Sequence, residues 1–486
     1  MKKWIFIGVF FLAIGSFAQD RIKEMDSLIS FCQENGMFNA TILVAEKGKI
    51  IYHKAVGMAD FGANLPLTPN TAYCLGSISK QFTAFGIMLL KEKGKLEYSD
   101  TVGKIFPELP KYMHDITMKN LMQHTSGLRR THYGDDDGLK NERIFKNLMN
   151  TQGDVLLFEP GTAFSYSNSG YMLLAMIIEK VSGQTFESFL HDEVWQPLGM
   201  THTFVMSEDD YGKKHYAIGY DGFGNKSDFN VLTYGSNGIY STAEDLFRWT
   251  QSLTTDILIP VERKMQMWEP AVSNDGNLLV DNSREHTWNY GFGMFVYKDE
   301  LEGRIGHSGA FGGFLNLMTK DLIKDREVIV LNNNGRLLPI HEFGNAMHNI
   351  LNGQPYKMPK VSIDFELRRT HYKDIEGAIG HYHDLKGKHP TKYKFNNEWE
   401  LNTLGYALMA DDRIDDAIKI FKLLISEFPD RPNPWDSLGE AYYKNGQYEL
   451  SIKSYKKALE IDKNYNVDWI KEMLQKNEDK LKERKG

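Results

Sequence analysis

Cysteine is scarce in this chain: Cys32 and Cys74 are the two among 486 residues. So few exclude a fold stapled by disulfides, and both are read as buried thiols serving as small apolar groups. Long apolar runs are missing as well. A bilayer-spanning helix needs roughly 20 such residues, and the run from Trp4 to Ile14 stops short of that, ending in small residues around Ser16 and Ala18. With Lys2 and Lys3 ahead of it, the segment has the layout of a secretory signal peptide, residues 1–18, cut after Ala18. No cysteine stands near that point to carry a lipid, so the mature chain is expected to be exported, periplasmic or extracellular, with no membrane span. Concentrated basic charge is also missing. Without Lys2 and Lys3 the 57 basic residues fall to 55 against 64 acidic ones, a net charge of −9 with His neutral, which argues against nucleic acid as a partner.

What is present is the composition of a soluble globular protein, 42% hydrophobic and 25% charged. A chain of 486 residues exceeds one ordinary domain. After a short helix near 20–35, alternating residues in NATILVAEKGKIIYHKAVGMAD, with a turn at Lys47-Gly48-Lys49, predict a β-hairpin. Helical patterns dominate from Ser77 to about Leu190. Strand-like segments return at 288–298, 303–319 and 326–332, before a helical stretch from about Leu338 to Leu351. This order fits an α/β arrangement of the α+β kind, an antiparallel sheet flanked by helices with a helical subdomain, over residues 19–354. The prolines of the stretch from Gly353 to Pro359 mark a boundary. Residues 355–394 read as a linker with capping helices, and 395–486 as an all-α repeat. There Leu401, Leu404, Gly405 and Ala407 recur 34 residues later as Trp435, Leu438, Gly439 and Ala441, and Ala417, Ile418 and Phe421 recur as Ser451, Ile452 and Tyr455. The period and the pairing of small with large residues resemble the tetratricopeptide repeat, which implies a surface for a protein or peptide partner.

Chemistry is concentrated in three short motifs. Ser77-Ile78-Ser79-Lys80 opens a helical pattern, so a spacing of three sets Ser77 and Lys80 one turn apart on one face. A serine hydroxyl is a poor nucleophile until a neighbour takes its proton, which a desolvated lysine or a lysine-assisted tyrosine can do. Helix-terminal N–H groups favour the developing oxyanion. Tyr166-Ser167-Asn168 stands in a polar loop just before a strongly periodic helix, and His307-Ser308-Gly309 on a glycine-rich strand-like run. Each motif has a decoy: Ser454 with Lys457, Tyr443-Lys444-Asn445, and His132-Tyr133-Gly134. Spacing alone therefore decides nothing, since about one or two S-x-x-K matches arise by chance in a chain this long. Ser454 and Lys457 lie within a repeat helix and read as its solvated face.

Together the three motifs, in this order and context, resemble the serine β-lactamase, penicillin-binding and D-peptidase superfamily, nearest its class C-like branch, across roughly residues 30–350. LMQHTSGL at 121–128, Pro197-Leu198-Gly199-Met200 and Ser241-Thr242-Ala243-Glu244-Asp245-Leu246 add to the resemblance. It implies Ser77 as nucleophile, Lys80 and Tyr166 sharing general-base work, and Asn168 holding the substrate's amide carbonyl. The backbone N–H groups of Ser77 and Ala310 would form the oxyanion hole beside Gly309. His307 stands where many β-lactamases carry lysine. A histidine, with an ordinary pKa near 6.5, offers less charge to a substrate carboxylate at neutral pH.

Other residues carry blander readings. His124 and Ser126 are expected in a structural turn, and Ser241 with Glu244 in a capping box. Asp135-Asp136-Asp137 reads as a solvated acidic turn rather than a calcium loop. His381, His383 and His389 lack companion ligands, so neither metal nor cofactor is expected. The expected function is hydrolysis of small esters or D-amino-acid peptides through an acyl-serine. The alternatives are a penicillin-binding D-alanyl-D-alanine carboxypeptidase or β-lactamase and, in another class, a non-catalytic scaffold using the repeat.

Overall fold

A computed structural model describes residues 4–130, 141–150, 156–207, 215–227, 233–281, 288–297, 303–335 and 337–484. The chain forms two compact units, Met1–Lys357 and Met358–Gly486.

The first unit is built on a seven-stranded antiparallel sheet of β1 (Ala40–Glu46), β2 (Lys49–Val56), β3 (Asn289–Tyr290), β4 (Phe295–Val296), β5 (Arg304–Phe311), β6 (Phe314–Asp321) and β7 (Arg326–Asn332). The spatial order is β2-β1-β7-β6-β5-β4-β3. The sheet thus closes by pairing strands from the two ends of the unit, Ala40 opposite Asn332 and Glu46 opposite Arg326. β1 and β7 are buried on both faces, which is why they read as nearly continuous apolar runs. Leu43, Ala45, Ile329 and Leu331 enter the main core, and Ile42, Val44, Val328 and Val330 are buried on the other side. The β1–β2 hairpin turns at Lys47 and Gly48, with φ of 53° and 69°, as a tight two-residue turn requires. The segment 303–319, expected as one strand-like run, is two strands hinged at Gly312-Gly313, where φ is 50° and 83°.

Helices cover this sheet. α1 spans Trp4–Glu34, longer than the helix expected at 20–35. α2 (Ser79–Glu92) and α3 (Asn168–Ser182) pack together and are buried through most of their length. α4 (Ala243–Ser252) packs on β1 and β7, and α5 (Ile340–Asn352) on β6 and β7. The expected capping box is corrected at α4: Thr242, not Ser241, is the N-cap, its hydroxyl accepting from Asp245 N–H, while Glu244 pairs with Arg248 at 2.7 Å. Among the described residues no helix is long and apolar enough to cross a membrane. Cys32 and Cys74 are free and buried, and burial pushes their thiols up to about 12 and about 11.

The second unit is helical: α6 (Ile363–His371), α7 (Ile375–Lys388), α8 (Glu398–Ala410), α9 (Ile414–Glu427), α10 (Pro432–Lys444), α11 (Tyr448–Ile461) and α12 (Val467–Glu483). α6 and α7, in the stretch read as linker and capping helices, belong to this compact unit. The 34-residue repeat has a steric cause. A Cβ on Gly405 would lie 2.3 Å from the Phe421 ring, and one on Gly439 3.1 Å from the Tyr455 ring. Each glycine is the socket for its own repeat's large residue.

Candidate active site

Ser77 sits in a 3₁₀ turn, Gly76–Ile78, that runs directly into α2. Its hydroxyl is partly exposed, whereas Lys80, one turn on, is wholly buried. Lys80 Nζ lies 3.1 Å from Ser77 Oγ, 2.9 Å from Asn168 Oδ1 and 2.8 Å from the carbonyl oxygen of Ser236. No carboxylate is among these partners. Burial holds the Lys80 amine well below the ordinary lysine range, and the positive charge of Arg130 adds to the effect. Each unit of such lowering is about 1.4 kcal/mol of preference for the neutral amine. A neutral amine has two N–H donors and one lone pair, and three oxygen neighbours surround this one.

Tyr166 and Asn168 reach the same point from the loop ahead of α3. Ser167 between them is the N-cap of α3, its Oγ accepting from Gly170 N–H, so Asn168 is the first helical residue. The Tyr166 ring centroid stands 4.8 Å from Lys80 Nζ, with the Arg130 guanidinium 5.2 Å from the same ring.

β5 closes the cleft from the side of the third motif. Its backbone presses against the turn that holds Ser77: a Cβ on Gly309 would fall 1.8 Å from Leu75 O and 3.1 Å from Ser77 N, and one on Gly76 2.9 Å from Ala310 N. Only glycine allows two backbones this near, and Gly76 also has a φ of 55°. The contact sets the backbone nitrogens of Ser77 and Ala310 on touching segments, with Ala310 exposed toward solvent. His307 is buried, with Tyr290 Oη 3.0 Å from Nε2 and the Ser308 carbonyl oxygen 2.5 Å from Nδ1. Its ring lies 6.3 Å from that of Tyr166.

The structure therefore brings Ser77, Lys80, Tyr166, Asn168, His307, Gly309 and Ala310 into one neighbourhood. Sequence reasoning missed the Ser236 carbonyl, Arg130 and Tyr290. The glycines of Gly235-Ser236-Asn237-Gly238 mark a special backbone there, with φ of 91° and 85° at the two ends, but a carbonyl acceptor has no side-chain signature. Among the decoys, Ser454 is buried in α11 with Oγ donating to Leu450 O, and Tyr443-Lys444-Asn445 ends α10. His132-Tyr133-Gly134 and Asp135-Asp136-Asp137 lie outside the described residues. His124 and Ser126 are both buried, and Ser126 Oγ accepts from Leu128 N–H.

Comparison with known proteins bears on the family and the fold. Residues 22–336 match the family described as Beta-lactamase, and residues 403–431 and 437–465 match tetratricopeptide repeats. A penicillin-binding protein of Bacillus subtilis (strain 168) is 33% identical over 388 residues, which are 75% of this chain and 83% of that protein. The octameric penicillin-binding protein homologue from Pyrococcus abyssi is similar with a TM-score of 0.63 at 26% identity, over 72% of this chain and 82% of that one. A class C β-lactamase shares the fold at 21% identity, with a TM-score of 0.58 over 70% of this chain and 97% of its own. A match that spans the sheet, the Ser77 turn and the Tyr166 loop alike means that the chain belongs to the β-lactamase family, and carries tetratricopeptide repeats in its second unit.

Proposed function

We propose that the first unit is an exported serine hydrolase that cleaves small esters or D-amino-acid peptides through an acyl-Ser77 intermediate. The observation that carries this reading is the environment of Lys80. As a neutral amine it donates its two N–H groups to Asn168 Oδ1 and Ser236 O, which leaves its lone pair facing the Ser77 hydroxyl at 3.1 Å. Ser77 Oγ attacks the substrate carbonyl as its proton passes to Lys80, with Tyr166 sharing the transfer and returning a proton to the leaving alcohol or amine. Asn168 keeps Nδ2 free of the lysine contact to donate to a substrate amide carbonyl. The N–H groups of Ser77 and Ala310 take the oxyanion, a device in which one donor is typically worth about 10²–10³ in rate. Water then attacks the acyl group, the same bases removing its proton, and Ser77 is restored.

Export is supported by the layout of residues 1–18. The repeat is read as a surface for a protein or peptide partner. A second reading, a penicillin-binding carboxypeptidase or β-lactamase, is favoured by the similarity to a penicillin-binding protein. His307 in place of a lysine weighs against strong recognition of a penicillin-type carboxylate.

A fluorophosphonate applied to the mature protein tests the proposal, together with a panel of short esters, D-alanyl peptides and a cephalosporin. One label on the Ser77 peptide is expected, and Ser77→Ala abolishes both label and turnover. Labelling at Ser126, or full activity in Ser77→Ala, overturns the assignment. No label and no turnover of any substrate would leave the non-catalytic scaffold.

A further inference from the structure

His124 lies beneath the Tyr166 loop, and three of its features converge there. Its carbonyl oxygen accepts from Ser165 N–H at 2.9 Å. Its Nδ1 accepts from Ser167 N–H at 3.0 Å. Its ring stacks on the ring between those two residues, Tyr166, with centroids 4.1 Å apart and a tilt of 35°. One residue thus grips the backbone on both sides of the tyrosine and backs its side chain. The following segment extends the grip: Ser167 Oγ donates to Arg129 O at 2.9 Å, and Asn168 N–H to Arg130 O at 2.8 Å.

The geometry points to His124 as a positioning residue, whose imidazole holds the Tyr166 phenol in register with Lys80 and Ser77. This rests on the hydrolase reading for the roles of those three. The chemistry of imidazole suits the task. An Nδ1 that accepts a hydrogen bond puts the single proton of the neutral ring on Nε2, and a protonated ring could not accept from Ser167. Burial keeps the ring neutral by holding its protonation well below the ordinary histidine range, and the positive charge of Arg130 adds to that. His124 has no exposed surface, and Nε2 meets no hydrogen-bond partner among the described residues. A ring placed only for packing would call for no nitrogen acceptor, yet a buried Ser167 N–H requires one. The backbone bears a cost for the placement as well, since His124 has a φ of 59°, uncommon outside glycine.

Two substitutions in the full-length protein separate positioning from mere packing. H124N offers Oδ1 to Ser167 and tolerates the left-handed backbone, while H124L removes both acceptor and ring face. For H124L, kcat on a short ester is expected to fall about tenfold or more with KM within about threefold, since misplacing a catalytic group by even 1 Å is costly. H124N should recover part of that loss. Tyr166 nitration by tetranitromethane, read on its peptide by mass spectrometry, should rise in both variants as the backing ring goes. Thermal melts confirm that the folded fraction is unchanged, and if H124L does not fold, H124N alone carries the test through kcat and nitration. Unaltered kcat and nitration in a folded variant overturn the inference. If the unmodified protein proves inert toward every substrate, the hydrolase reading fails, and nitration still decides whether His124 sets Tyr166.

Discussion

Two serine–lysine pairs with the same spacing lie on helical backbone in this molecule. Ser77 and Lys80 open α2, and Ser454 and Lys457 lie within α11. In the first pair the lysine is wholly buried, with neutral oxygens as its hydrogen-bond partners among the described residues, and the serine reaches the solvent. In the second the burial is reversed. Ser454 is 3% exposed and spends its hydroxyl on Leu450 O, whereas the Lys457 side chain is 39% exposed and pairs with Glu460 at 2.8 Å. The contrast sets one spacing in two environments, and on the proposed reading burial of the amine is what makes the first of them catalytic. A dry site lined with carbonyls and a hydroxyl favours the neutral form of a lysine.

The widest separation between the pairs should appear in turnover. Ser77→Ala and Lys80→Ala are expected to lower kcat on a short ester by at least about 10³-fold, as removal of a nucleophile or its base does elsewhere. Ser454→Ala and Lys457→Ala should stay within about twofold. Comparable losses at both sites would break the contrast. Next in size is the effect of restoring charge to the cleft. His307→Lys should raise kcat/KM for a cephalosporin relative to a short ester by about tenfold through attraction to the carboxylate. If the unmodified protein already prefers the cephalosporin by that factor, the β-lactamase reading replaces the esterase one.

Stability gives a smaller but sharper contrast. Because burial lowers the folded-state pKa of Lys80, the unfolded chain binds more protons at this residue between that lowered value and about 10.4, the ordinary lysine value. Stability from this group is therefore complete above the upper limit and is lost as pH falls through the window. Relative to Lys80→Met, which cannot titrate, the Tm of the unmodified protein should decline as pH falls below about 10.4. A Lys80→Met variant whose Tm runs parallel to that of the unmodified protein would mean the buried amine is not displaced. The least effect is expected from cutting the chain after Lys357, where the compact units divide. Ester turnover of a truncated protein that melts cooperatively should remain within about threefold, as function resides in the site rather than in an appended module. Total loss would assign the second unit a share of the chemistry.

The parts of this site legible in the sequence were those whose signal is local. S-x-x-K announces a helical turn, Y-x-N a loop before a periodic helix, and the 34-residue repeat follows from glycines facing their own aromatic partners, Gly405 with Phe421 and Gly439 with Tyr455. What escaped was made by approach over distance. The Ser236 carbonyl that receives a Lys80 hydrogen bond belongs to the backbone and leaves no residue-type signal. The strand-like segment 288–298 does hold the strand Asn289–Tyr290, but a strand pattern does not announce that Tyr290 sits directly on His307. His124 was read as part of a turn, and its backbone is indeed left-handed, but nothing in HTSG foretells a ring stacked on a tyrosine 42 positions away.

The pairing of β1 with β7 bears on how the protein comes into being. Val44 lies opposite Val328, and the turn holding Ser77 is completed by backbone from Gly309 and Ala310. A chain emerging N-terminus first carries Ser77 long before the strand that packs against its turn, and closing so long a loop is slow compared with local folding. Through most of its synthesis the neighbourhood of Ser77 is thus incomplete. On the proposed hydrolase reading, hydrolysis of an ester therefore doubles as a sign that this strand has been delivered.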